Sequence, residues 1–266
     1  MAAAAASLKL NLPSTPGGTN SRPIFRSKFR VVRCSTSTDR QELFNRIAPV
    51  YDNLNDLFSL GRHREWKNTA VSWSRAKVGD NVLDICCGSG DLAFLLSEKV
   101  GPNGKVVGLD FSKEQLSIAA ARQQSNSKKC HKIIKWVEGD ALDLPFPESY
   151  FDAITIGYGL RNVVDRQKSL KEAYRVLKPG SRISVLDFNK SDNPLMTSFQ
   201  EWTLDNVVVP IASSQGVAEE YRYLKESIRG YLTGKELEYL ALEAGFSTAK
   251  HFVLDLGLMG HLVATK

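Results

Sequence analysis

One short stretch limits this chain more than any other. Val82-Leu83-Asp84-Ile85 is an apolar strand carrying one carboxylate, and it runs into Cys86-Cys87-Gly88-Ser89-Gly90 and a helix start at Asp91. Strand, glycine turn and helix in that order open a sheet that holds a ligand at its carboxyl edge. Gly88 and Gly90 let the backbone turn sharply and come close to that ligand, but they do not name it. Gly88-x-Gly90-x-x-Ala93 fits a dinucleotide loop, and Asp110 closes the apolar run Val106-Val107-Gly108-Leu109 where a ribose-binding acid belongs. Asp84 tilts the choice. A carboxylate at the mouth of the loop repels a pyrophosphate and attracts a ligand bearing an ammonium and a sulfonium, as S-adenosyl-L-methionine does. The competing reading makes Asp84 a cap for the helix beginning near Asp91.

The chain must be divided before its charge means anything. Residues 1–38 hold Lys9, Arg22, Arg26, Lys28, Arg30 and Arg33, ten Ser or Thr, and no acid. That is the makeup of an organelle transit peptide. The Ala2–Ala6 run and the ending Val32-Arg33-Cys34-Ser35 look more like a chloroplast presequence than a mitochondrial one. Those six basic residues equal the net charge of +6, so residues 39–266 balance to zero. The basic excess is therefore no argument for nucleic acid, and none is expected as a partner. Cys86, Cys87 and Cys130 lack any spacing for zinc or a disulfide framework and read as structural thiols, with no metal expected. No apolar run approaches the roughly 18 residues of a transmembrane helix.

Residues 39–266 suffice for a single α/β domain. Strands are predicted at 81–86, 105–109, 133–137, 152–157, 182–187, 249–255 and 260–265, with helices at 91–99, 113–123, 166–177 and 234–244. Alternation of this kind implies a parallel sheet covered on both faces. The last two strands are joined only by Gly257-Leu258-Met259-Gly260, too short for a crossover, so they pair antiparallel. A seven-stranded, mostly parallel sheet ending in an antiparallel hairpin resembles the Rossmann-like class I fold of S-adenosylmethionine-dependent methyltransferases. Ligands in such sheets sit beyond the strand carboxyl ends. Asp110 there can accept from both ribose hydroxyls. Phe111 either stacks on adenine or packs in the core, and Asp140 either accepts from the adenine amino group or is a plain loop acid.

Further blocks carry a family resemblance. Tyr51-Asp52-Asn53-Leu54-Asn55-Asp56-Leu57-Phe58-Ser59-x-x-x-His63-x-x-Trp66 and Arg175-Val176-Leu177-Lys178-Pro179-Gly180-Ser181-Arg182-Ile183-Ser184-Val185-Leu186-Asp187 closely resemble the two signatures of the ubiquinone and menaquinone biosynthesis C-methyltransferases. Gly159-Leu160-Arg161-Asn162-Val163 and Tyr221–Ile228 are similar to further blocks of that family. Leu54, Gly157, Ser181, Asp187 and Asn189 depart from its usual Met, Ser, Gly, Glu and Ser. The resemblance implies that Ser89, Asp110, Asp140 and Ala141 fall on cofactor positions, with Gly157 offering only its backbone. It implies a prenylated naphthoquinol acceptor, phytyl-tailed if the presequence is chloroplast-like. Methylating such a ring carbon needs a hydroquinol that is losing a proton. Arg161 would stabilise the developing oxyanion. Tyr51, Asp52 or His63 would relay the proton or merely pack and cap helices, and Asn162 would orient a ring oxygen or cap a turn.

Two flanking parts complete the expectation: a helical cap over residues 39–75 and a lid-like insert over 190–232. The insert carries Leu195, Met196, Phe199, Trp202, Leu204, Val207, Val208, Val209 and Ile211. It is expected to roof the ring pocket, admit the prenyl tail and touch a thylakoid or envelope membrane, with helix packing as the other reading. A benzoquinol or tocopherol-type acceptor, an NAD(P)-dependent oxidoreductase and a catalytically silent scaffold remain open.

Overall fold

The computed structural model describes residues 62–126, 128–191 and 218–266, with isolated positions between 193 and 210. Residues 1–38, expected as a transit peptide, Tyr51, Asp52, most of the expected amino-terminal cap and most of residues 192–217 of the insert lie outside the described residues.

Seven strands form one sheet: β1 (Asn81–Ile85), β2 (Lys105–Asp110), β3 (Ile134–Glu138), β4 (Phe151–Gly157), β5 (Leu177–Phe188), β6 (Thr248–Leu254) and β7 (Met259–Thr265). Their order is β3-β2-β1-β4-β5-β7-β6. The first five are parallel, and β7 enters antiparallel to both β5 and β6. The strand order reverses between β1 and β4, the switch point where open α/β sheets bind ligands.

Helices α1 (His63–Trp73), α2 (Asp91–Val100), α3 (Lys113–Ser125), α4 (Arg166–Val176), α5 (Ala218–Arg229) and α6 (Gly234–Glu243) follow or precede the strands. Local chemistry sets several starts. Ser112 accepts from the Gln115 amide, Asp165 from Lys168, and Thr233 with Glu236 closes a capping box. Helix α2 instead starts at Gly90, whose φ of 94° only glycine adopts freely.

Alternation along the strands divides the core. Leu83, Ile85, Ile154, Ile156, Ile183 and Val185 pack with α4 and α6, while Val82, Val106 and Ala153 pack with α1 and α2. Each fully buried aliphatic side chain contributes about 1.5–3 kcal/mol. A polar file crosses the α1/α2 face: Asp84, Thr155 and Ser184 stand side by side on β1, β4 and β5. Thr155 donates to Asp84 at 2.7 Å, and Ser184 donates to the Ala70 carbonyl of α1 at 2.8 Å. These bonds tie α1 to the sheet and fix the orientation of Asp84.

Strand β5 begins five residues earlier than Arg182, its expected start. Leu177 already pairs with Phe151, and the ladder then shifts register across Lys178-Pro179-Gly180 before resuming at Arg182. Pro179 and Gly180, between the expected helix and strand, form an irregularity that the strand spans.

Candidate functional site

The carboxyl ends of β1, β2 and β4 and the segment after β3 enclose a cavity. Asp84, Gly88, Ser89, Asp110, Phe111, Asp140, Ala141, Gly157 and Asn162 line it. Gly90 stands just behind, where a Cβ would meet Trp136 at 2.5 Å.

The loop between β1 and α2 is bent by three left-handed residues, Cys86 at φ 55°, Gly88 at 53° and Gly90 at 94°. Cys86 occupies the place of the first glycine in a common methyltransferase loop, which suggests in sequence that any small side chain serves there. Its positive φ shows a backbone demand as well, and a non-glycine residue meets that demand with strain. Burial pushes both the Cys86 and Cys87 thiols well up, so neither is a ready nucleophile.

Asp84 is 1 % exposed. Its Oδ1 accepts from Thr155, and its Oδ2 has no hydrogen-bond partner among the described residues. Burial raises its pKa to about 7 against the opposing pull of the Thr155 hydroxyl and the Ala93 amide, and the charges of Asp110 and Asp91 raise it further. Gly90 holds the N-cap position of α2, while the amide of Ala93 in that helix's first turn acts on Asp84, so the carboxylate serves the helix start as well as the cavity wall. A buried carboxylate oxygen without a partner, in a cavity wall, is suited to a cationic group.

Asp110 is held differently. Its two oxygens accept from the backbone amides of Gly88 at 2.8 Å and Ser112 at 2.9 Å. Burial raises its pKa while those amides oppose the rise. Each oxygen keeps a second lone pair for a diol. Ser89 receives the Arg122 guanidinium on both its carbonyl and Oγ. A Cβ at Gly157 would meet the tip of Leu92 at 2.6 Å, so a small residue suits this wall.

The expected catalytic residues divide. Asn162 lines the cavity, and its Oδ1 accepts from Tyr223 of α5 at 3.1 Å. Arg161 does not line it. Its Nη1 donates to Asp187 at 2.7 Å and to the Tyr158 carbonyl at 2.6 Å, its Nε donates to Ser227, and its guanidinium lies 5.1 Å from the Phe188 ring centre. The pair with Asp187 is buried on both sides. A non-local carboxylate, which no spacing announces, thus takes part of the donor fork that the sequence aimed at the acceptor. His63 is buried at the start of α1 and is not part of the cavity wall.

Lys67 was missed. It is 6 % exposed, lines the cavity and forms an ion pair with Asp91, which also pairs with Arg122 at 2.7 Å. The signal was present: His63, Lys67, Ala70 and Val71 are the buried residues of α1, and their spacing marks a lysine on a core-facing stripe.

The model of the ubiE/COQ5 methyltransferase family matches residues 33–266. The chain belongs to that family. This methyltransferase is 66% identical over 242 residues to the chloroplastic 2-phytyl-1,4-beta-naphthoquinone methyltransferase of Arabidopsis thaliana, covering 91% of this chain and 92% of that one. It is 50% identical over 224 residues to a 2-phytyl-1,4-naphthoquinone methyltransferase of Trichormus variabilis, covering 84% and 97%. Among solved structures, a SAM-dependent methyltransferase from Thermotoga maritima superposes with a TM-score of 0.59 at 19% identity over 85% of this chain and 99% of that one. The expected α/β methyltransferase fold with its antiparallel carboxyl-terminal hairpin is therefore the observed one.

Proposed function

We propose that this enzyme transfers a methyl group from S-adenosyl-L-methionine to a ring carbon of reduced 2-phytyl-1,4-naphthoquinone, completing the ring of phylloquinone. The unpartnered oxygen of Asp84 carries the donor half of this reading: it suits the donor's ammonium and would repel the pyrophosphate of a dinucleotide. The acceptor half is supported by the relatives, which are 2-phytyl-1,4-naphthoquinone methyltransferases. Asp110 takes the ribose hydroxyls, and Asp140, Ala141 and Phe111 surround the adenine.

When bound, the donor supplies an electrophilic methyl on a sulfonium. The chain's own residues must hold the ring carbon in line with it, within about 3–3.5 Å. A phenolic hydroxyl ionises near about 10, so the acceptor needs a polar wall as its proton leaves. Asn162 provides that wall on the acceptor side, and Arg161 positions it by gripping Tyr158, Asp187 and α5. Leu195 and Trp202, 79% and 57% exposed, belong to the insert that we assign to the phytyl tail and to contact with a chloroplast membrane.

Labelled methyl transfer tests the assignment. Turnover is expected with 2-phytyl-1,4-naphthoquinol and none with its oxidised form; preference for a prenylated benzoquinol would overturn the acceptor. Replacing Leu195 and Trp202 by Ser should lower turnover several-fold for phytyl-tailed acceptors alone, because each loses only an apolar contact. An equal loss with tail-free naphthoquinol would remove the tail from the insert.

A further inference from the structure

The amino-acid end of a methyl donor bears opposite charges on one carbon, and the cavity offers one group of each sign at one end. Asp84 shares a sheet face with Val82, and that face is covered by α1, the helix that carries Lys67. Asp91 links the two: it pairs with Lys67, and its charge is felt at Asp84. Among the described residues lining the cavity, Lys67 is the one lysine or arginine, set among Asp84, Asp91, Asp110 and Asp140.

We propose that Lys67 binds the carboxylate of S-adenosylmethionine, so that Lys67 and Asp84 together grip the zwitterionic end of the methyl donor; the assignment rests on the donor reading of the cavity given above. The charges nearby favour it. Lys67, Arg122 and Asp91 form a cluster with two cations and one anion. Burial alone would raise the Asp91 carboxyl, but the two cations hold it below its ordinary value, so it stays an anion. Asp91 thus answers two cations at once, and of the two Lys67 is the buried one, its side chain 8% exposed against 39% for Arg122. An ammonium has three N–H donors, and the pair with Asp91 leaves capacity for a ligand carboxylate. Arg122 turns instead to Ser89 and Asp91, which leaves Lys67 to face the ligand.

Decarboxylated S-adenosylmethionine keeps the ammonium, sulfonium and adenosine and lacks only the carboxylate, so it separates this role from every other. Calorimetric binding of both compounds to the full chain, to Lys67→Met and to Lys67→Arg provides the test. Lys67→Met is expected to weaken S-adenosylmethionine about 10- to 100-fold while leaving the decarboxylated compound nearly unchanged. Lys67→Arg should restore most of the preference. An equal loss for both ligands would make Lys67 a support for Asp91 and overturn the assignment alone. Unaltered donor affinity with slowed turnover would move Lys67 to the acceptor, and it too would overturn the assignment. Failure of the unmodified protein to bind either compound would overturn the donor reading, and the assignment with it.

Discussion

Asp84 and Asp187 stand near the carboxyl ends of β1 and β5, are 1% and 2% exposed, and have opposite surroundings. Asp187 accepts from the Arg161 amide at 3.1 Å, the Arg161 guanidinium at 2.7 Å and the Phe188 amide at 2.8 Å. Asp84 has the Thr155 hydroxyl and the pull of the Ala93 amide, and among the described residues its Oδ2 has no hydrogen-bond partner. The same fold thus supplies a full shell of donors to one buried carboxylate and withholds it from another. Where a carboxylate is saturated, the pair sets the shape of the wall. Where one is left short, in a cavity, a ligand is the natural source of the missing charge.

The largest effect should come from breaking the saturated pair. Arg161→Ala leaves Asp187 buried without its counter-ion and should cost about 3–5 kcal/mol of stability, read from urea unfolding. Donor affinity at the far end of the cavity should change little once the variant is folded. Loss of turnover with no loss of stability would instead return Arg161 to direct contact with the acceptor.

Asp84→Asn tests the other member with the opposite signature. Donor affinity should fall about 100-fold, since a charge-assisted contact is replaced by a neutral amide. Stability should rise. The Asp84 pKa is raised from 3.8 to about 7 in the folded state, so folding takes up a proton between those values and loses stability as pH climbs through that window. At pH 8 the variant, which has no carboxylate to neutralise, should exceed the parent by roughly 1–3 kcal/mol. The gain should shrink as pH falls and be mostly gone near pH 4, where Asp84 is protonated in the folded state and close to half protonated in the unfolded one. A thermal melt at both pH values checks this exchange of stability for binding.

These differences mark what a sequence can show. Strand and helix ranges were legible because they depend on local alternation and on caps such as Ser112, Asp165 and Thr233, all near in sequence. The cavity floor was legible for a similar reason: Asp84 and Asp110 stand at strand ends and Gly88 just after one, and parallel register brings strand ends together. The Arg161 pair was not legible because its partner Asp187 lies 26 residues away, with helix α4 and most of β5 between them. Spacing showed a cation after a strand, not that the fold had already neutralised it. Lys67 was overlooked because a lysine is usually solvated; only its place on the buried stripe of α1 gave it away. Asn162 was chosen for its block, but the Tyr223 hydroxyl that orients it comes from α5, a long-range contact with no local trace.

The smallest effect sharpens the comparison most, because it needs no mutation. If Asp84 must be ionised to hold an ammonium, donor affinity should rise with pH up to about 7 and drop about tenfold for each unit below it. An α-amino group loses its proton near about 7.7–8.0, so affinity should fall again on the alkaline side, giving a narrow maximum between the two. Binding titrations from pH 5.5 to 8.5 would trace both limbs. The acid limb belongs to Asp84 alone and should disappear in Asp84→Asn, while the alkaline limb belongs to the ligand and should fade with it, because a neutral side chain favours the ammonium less. An acid limb that survives in Asp84→Asn would mean that another carboxylate holds the donor, and the contrast between a filled and an unfilled buried acid would lose its functional meaning.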